Sequence, residues 1–195
     1  MARHTSTLGA RYFEDMFRGT SDPWNLESSP YELAKYDASI AALDGRTYRN
    51  AFEVGCAKGV LTSKLAPRCA ALLSIDVSET ALAAARARIA HCGHVAFEQM
   101  AFPARTPTGR FDLVVWSEVA YYWDDADLER AAAWLKSDLD HGGDLLLVHF
   151  TGETDYPQSG DEAVAKLFAT LGSSVAVIKA DRRENYRLDL WRRTS

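Results

Sequence analysis

Glu53, Asp76 and the small residues between them are the first side chains in this sequence with the types and spacing to do chemistry. Asn50-Ala51-Phe52-Glu53-Val54-Gly55-Cys56-Ala57-Lys58-Gly59 runs from an apolar stretch through an acidic residue into a turn of small residues. Gly55 and Gly59 let the backbone turn sharply and approach a ligand without a Cβ in the way. Ala57 is the smallest substitute for a third glycine. Leu72-Leu73-Ser74-Ile75-Asp76-Val77-Ser78 is a second apolar run ending in an acid. It lies roughly 20 residues past Gly55, where a carboxylate receives ribose hydroxyls. A charge at the end of a buried strand needs a partner, and a ligand with amino and hydroxyl groups provides one. The dinucleotide fingerprint requires glycines at 55, 57 and 60, where the chain has Gly55, Ala57 and Val60. No Gly-Lys-Ser/Thr follows the turn, which excludes a P-loop. A nucleoside ligand without a pyrophosphate fits this pattern.

The elements that position these residues alternate. Strands are expected near 51–55, 71–76, 94–99, 111–116 and 143–149, with helices near 59–66, 79–91, 126–137 and 161–171. Such alternation implies an α/β, doubly wound, Rossmann-like parallel sheet. Ser174 to Ala180 and Tyr186 to Arg192 are two β-like runs with no room between them for a crossover helix, so they are expected to be antiparallel. That makes seven strands, mostly parallel, closed by a C-terminal antiparallel pair. Residues 1–9 have no periodicity and read as a frayed end. Tyr12, Phe13, Met16 and Phe17 recur at helical spacing. Ser29-Pro30-Tyr31-Glu32 reads as a helix start with Ser29 as N-cap and Pro30 in the first helical position. Residues 1–48 are therefore expected to form helical lid elements on a core of residues 49–195, a single domain overall.

The chain has 195 residues and a formal net charge of -5, so a nucleic-acid backbone is not an expected partner. Cys56, Cys69 and Cys92 make no Cys-x-x-Cys pair, which argues against a disulfide framework or a zinc site and for a reducing compartment. The five histidines show no metal-ligand spacing, and no metal is expected. Gly142-Gly143 reads as a turn into the fifth strand. With no apolar run of membrane-spanning length and no signal-peptide core, a cytoplasmic protein without a membrane partner is expected.

Phe52-Glu53-Val54-Gly55-Cys56-Ala57-Lys58-Gly59 with Ile75-Asp76-Val77-Ser78 resembles the motif pair of class I S-adenosylmethionine-dependent methyltransferases. Asp22-Pro23-Trp24, Ser29-Pro30-Tyr31-Glu32, Leu65-Ala66-Pro67-Arg68-Cys69 and Ser117-Glu118-Val119-Ala120-Tyr121-Tyr122 resemble the NodS-like family, whose named members N-methylate an amino sugar. The resemblance implies S-adenosyl-L-methionine as cofactor, S-adenosyl-L-homocysteine as product, and a small-molecule or glycan-like acceptor, most simply an amine. It implies cofactor contacts from Glu53, Gly55, Cys56, Ala57, Gly59, Asp76 and Val77. At the third strand tip the family usually carries an Asp where this chain has Ala101, so backbone at Met100 and Ala101 and the ring of Phe102 are expected to hold adenine.

Methyl transfer from a sulfonium is an in-line displacement, served by a cradle, a lid and sometimes a proton acceptor. At the fourth strand tip, Ser117 and Glu118 are expected to face cofactor or acceptor, and Tyr121 and Tyr122 offer hydroxyls and ring faces. His149, near the end of the fifth strand, is a candidate base. Trp24 and Tyr31 are expected to cover cofactor or acceptor. Cys56 reads as a small filler, and the polar loop 152–160 as a contributor to acceptor choice. Two other readings stay open: O-methylation with His149 or Glu118 as base, and cofactor binding without catalysis.

Overall fold

A computed structural model describes residues 3–194. Its strands form one seven-stranded sheet, mostly parallel, closed by an antiparallel C-terminal pair. The chain divides into two compact units. Residues Gly9–Ala101 form one, and Phe102 onward, joined by the residues up to Leu8, form the other.

The Gly9–Ala101 unit contains α1 (Ala10–Gly19), α2 (Pro30–Ala42), β1 (Ala51–Val54), α3 (Val60–Leu65), β2 (Leu72–Asp76), α4 (Glu79–Arg88) and β3 (Val95–Gln99). β2 pairs in parallel with both β1 and β3. Every residue of β1 is buried. That explains its unbroken apolar run around Glu53, since a parallel strand covered on both faces has no solvent side to mark with polar residues. Ser29 caps α2 by accepting the Glu32 N–H at 3.5 Å, with Pro30 in the first turn. Ser78 caps α4 through the Ala81 N–H at 3.1 Å.

The second unit contains β4 (Phe111–Ser117), α5 (Asp125–Asp138), β5 (Leu139–Phe150), α6 (Gly160–Leu171), β6 (Val175–Arg182) and β7 (Tyr186–Arg193). β4 and β5 are parallel, and β7 lies antiparallel between β5 and β6. The Gly142-Gly143 pair is not the turn that the sequence suggests. β5 starts at Leu139 and runs through it, with a register shift against β4 between Phe111 and Leu113. Gly142 adopts φ +72°, and a Cβ on Gly143 would meet the Asp140 carbonyl at 2.8 Å, so the pair forms a bulge that only glycine accommodates.

The frayed start is also corrected. Residues 3–8 are fixed by hydrogen bonds to the second unit, among them His4 N–H to Asp155 C=O at 2.8 Å and Leu8 N–H to Tyr122 C=O at 3.0 Å. An extended segment needs no side-chain periodicity to be ordered when its backbone finds acceptors. Met1 and Ala2 lie outside the described residues.

Candidate active site

The ends of β1 and β2 build a cradle from the Gly9–Ala101 unit. Gly55 and Cys56 donate their N–H groups to the Ile75 carbonyl at 2.8 and 2.9 Å, which folds the turn back over the β2 tip. Gly55, Ala57 and Gly59 all have positive φ, at +72°, +47° and +77°. Gly59 has a second reason to lack a side chain: a Cβ there would sit 3.0 Å from Ala85 Cβ and 3.1 Å from Ala85 Cα of α4. Cys56 packs against Leu82 and Ala85, and burial pushes its thiol well above the ordinary range. That disqualifies it as a nucleophile.

Asp76 closes the turn. Its Oδ2 accepts the Ala57 N–H and its Oδ1 the Ser78 N–H, each at 2.9 Å. Burial raises its pKa to about 6 against these N–H donors. Glu53 is buried, and its Oε2 accepts the hydroxyls of Thr62 at 2.6 Å and Ser74 at 2.7 Å. Burial raises its pKa to about 7, with Asp76 adding to the rise. Thr62 and Ser74 were not legible as site residues. Their only sequence signal is a small hydroxyl inside an apolar run, which is common in cores. Met100 donates its N–H to the Asp76 carbonyl at 3.0 Å, so the β3 tip adjoins the cradle, with Ala101 exposed. Val77 is half-buried, and its carbonyl accepts from Gln99 Nε2 at 3.0 Å.

The α1–α2 segment is fastened to this cradle. Glu14 accepts the hydroxyls of Ser78 and Thr80, both at 2.7 Å, at the N-terminus of α4. The Ser78 hydrogen bond is the largest reason its pKa falls to about 2. Glu27 binds both Lys58 of the turn and Arg88 of α4, and Arg88 Nε donates to the Lys58 carbonyl at 2.9 Å. Between these fastenings Trp24 and Asn25 adopt φ +57° and +55°, a conformation that costs a non-glycine residue energy and clusters at functional sites. Trp24 and Tyr31 are each 39% exposed; the Trp24 ring meets Phe17 edge-on at 6.1 Å, and the Lys35 ammonium lies 5.3 Å from the centre of the Tyr31 ring.

The other unit holds an acidic and aromatic cluster. Glu118 has φ +59°, accepts the Phe150 N–H at 2.9 Å and accepts the Tyr121 hydroxyl. Ser117, beside it at the end of β4, is half-buried. The Tyr121 ring stacks on Tyr156 at 5.3 Å and meets Tyr122 edge-on at 4.7 Å, and Tyr122 lies 4.7 Å from Tyr156. Burial raises both the Tyr121 and Tyr122 hydroxyls well above their usual range, so neither serves as a base. Tyr156 was missed as an individual residue, although the loop carrying it was noted.

Two expected roles change. His149 is fully buried, and its Nε2 accepts the Ala120 N–H at 3.1 Å. The lone pair that a base would use is committed to holding the segment before Tyr121. The Phe102 ring is enclosed by Trp116, Trp123 and Trp134 at 5.7, 5.5 and 5.1 Å, which makes it core and not a stacking face for adenine. Among the described residues, no group of three or more His, Cys, Asp or Glu is placed to hold a metal ion. No helix among them is long and apolar enough to cross a membrane.

The model of the nodulation protein S family, NodS, matches residues 15–147. The chain belongs to the NodS family. Nodulation protein S of Rhizobium tropici is 35% identical over 127 residues, 64% of this chain and 53% of that protein. The chain spans about half the length of the curated relatives it matches. A Pseudomonas syringae structure described as a candidate methyltransferase is 35% identical, with a TM-score of 0.71 over 84% of this chain and 99% of that one. The Bradyrhizobium japonicum N-methyltransferase NodS, crystallised with S-adenosyl-L-homocysteine, superposes with a TM-score of 0.80 at 23% identity, over 95% of this chain and 98% of that one. The NodS match takes in Glu53, the turn, Asp76, Glu118, Tyr121 and Tyr122. His149, Tyr156 and residues 3–8 of this NodS-family chain fall outside it.

Proposed function

We propose that this chain transfers a methyl group from S-adenosyl-L-methionine to the nitrogen of a small or glycan-like amine. The observation that carries the reading is the Ala57–Asp76 bond, which joins a turn of positive-φ small residues to a carboxylate at the second strand tip. The residues present fit the cofactor. Asp76 has acceptor capacity left for ribose hydroxyls, and the backbone of Gly55, Ala57 and Gly59 offers a path free of side chains to the methionine part. Family membership supports the reading, as does the Bradyrhizobium japonicum relative, an N-methyltransferase crystallised with S-adenosyl-L-homocysteine.

When bound, the cofactor supplies an electrophilic methyl group on a sulfonium. The residues of the chain orient and protect. Asp76 receives ribose hydroxyls, and Glu53 holds the cradle through Thr62 and Ser74. Of residues 1–48, expected as a lid, the part from α1 through α2 acts as one, with exposed Trp24 and Tyr31 as covering side chains that exclude water. Glu118 offers negative charge to an amine nitrogen that turns cationic as the methyl arrives. Tyr121 remains a phenol and orients Glu118, and Tyr122 presents ring and hydroxyl to the acceptor. His149 positions this segment and takes no proton. In this reading the protein works in the cytoplasm.

A thermal shift tests the cofactor assignment. S-adenosyl-L-homocysteine should raise the melting temperature and NAD should not, because a ligand that binds only the native state stabilises it by mass action. A shift with NAD alone would overturn the assignment.

A further inference from the structure

We propose that residues 3–8 form a strap that positions the acceptor-side tyrosines, with Thr7 as its anchoring residue; the functional part of this rests on the methyl-transfer reading. Tyr122 ends a short 3-10 turn (Ala120–Tyr122) and Tyr156 stands on a separate loop, yet their rings lie 4.7 Å apart. One tie joins the two segments directly, the Gln158 N–H donating to the Tyr121 carbonyl at 3.1 Å, and it lies beside each ring and not at it, so a second tie narrows the freedom left to them. The strap bonds to both. Its Leu8 N–H donates to the Tyr122 carbonyl at 3.0 Å, and its His4 N–H donates to the carbonyl of Asp155, the residue before Tyr156, at 2.8 Å.

Both ends of the strap are moored to helix starts. Arg3 pairs with Glu162 in the first turn of α6 at 2.7 Å. The Thr7 hydroxyl accepts the Asp124 N–H at 2.9 Å and donates to the buried Asp127, while the Thr7 N–H reaches Asp124 Oδ2 at 3.4 Å. Asp124 is the N-cap of α5 and itself accepts the Asp127 N–H at 2.9 Å. One hydroxyl therefore locks the strap to the residues that immediately follow Tyr122. A valine in its place keeps the shape and loses both bonds, whereas a serine keeps them. Holding two rings at a set spacing before the acceptor arrives removes an ordering cost from binding.

The test compares Thr7→Val and Thr7→Ser with the wild-type chain. Glucosamine and benzylamine serve as acceptor probes, methyl-labelled S-adenosylmethionine as donor, and S-adenosylhomocysteine calorimetry as the control. Thr7→Val should raise the acceptor KM about tenfold, the scale of one or two lost hydrogen bonds, with cofactor affinity held to within about twofold. Thr7→Ser should restore the wild-type KM. An unchanged KM in Thr7→Val, a parallel loss of cofactor affinity, or failure of Thr7→Ser to rescue would overturn the positioning role. If the wild type methylates neither probe, the acceptor reading has failed on its own terms, and amide hydrogen exchange decides the strap. Faster exchange of the Trp123, Asp124 and Leu8 amides in Thr7→Val, reversed in Thr7→Ser, supports it, and unchanged exchange overturns it.

Discussion

Ala57 donates its backbone N–H to Asp76 Oδ2 at 2.9 Å, which ties the small-residue turn to the tip of the second strand. The same carboxylate that holds the turn in shape is the one assigned to ribose hydroxyls. Asp76→Ala should therefore weaken S-adenosylhomocysteine binding by about 1.5–3 kcal/mol for each charge-assisted bond lost, with the fold retained by circular dichroism. Calorimetry showing wild-type affinity in this variant would remove Asp76 from the site.

Protonation gives a second prediction. The pKa of Asp76 is raised to about 6, mainly by burial. Hydroxyl donors favour the ionised carboxylate, so affinity for S-adenosylhomocysteine should climb as pH rises through about 6 and level off above it. Asp76→Asn should flatten that slope. A titration with the same pH dependence in both proteins would contradict the assignment.

Stability should run the other way. Burial holds Glu53 at about 7 against a usual 4.5, so the folded protein keeps a proton that the unfolded chain releases in that interval. The contribution is fully present below the unfolded value and is lost as pH rises through about 7. The shift corresponds to about 3 kcal/mol. Asp76, raised to about 6, adds a decline of the same sign, so Glu53→Gln should remove about half of the total in a denaturant series between pH 4 and 8, chiefly its upper part. An equally steep decline in the variant would place its origin elsewhere.

Gly59 is held to glycine by φ +77° and by the backbone of α4, 3.1 Å from where a Cβ would lie. Gly59→Ala should cost roughly 1–3 kcal/mol and lower cofactor affinity with it, because relief of the clash must move either the turn or α4. A variant with wild-type melting temperature would show that the contact relaxes freely.

Trp24 and Tyr31 separate coverage from packing. Each is 39% exposed, with Trp24 edge-on to Phe17 and Tyr31 facing the Lys35 ammonium, so alanine at either position should cost about 1 kcal/mol of stability. Affinity for S-adenosylhomocysteine should nonetheless fall. Loss of stability without loss of affinity would make them structural anchors.

Much of the fold was legible because period and punctuation agree locally. The buried run around Glu53, the Ser29-Pro30 helix start and the short gap before Tyr186 each state their structure within a few residues. Asp76 was legible because its distance from Gly55 is set by one βα unit. What stayed hidden depends on partners far along the chain. Nothing near His149 announces that the Ala120 N–H takes its lone pair, and nothing near Phe102 announces three tryptophans around its ring. The order of residues 3–8 comes from acceptors at Tyr122 and Asp155, more than a hundred residues away. Gly142-Gly143 misled for a different reason: a pair of glycines suits a turn and a bulge equally well.

The central claim is methyl transfer to nitrogen, and the most direct measurement follows label from methyl-labelled S-adenosylmethionine into an acceptor panel of amino sugars, simple amines and phenols. Labelled N-methyl product should appear together with an equal amount of S-adenosylhomocysteine. Glu118→Gln should cut the turnover number by about 10–100-fold while changing cofactor affinity far less. Label in phenols alone, or none in any acceptor from a protein that binds the cofactor, would contradict the account.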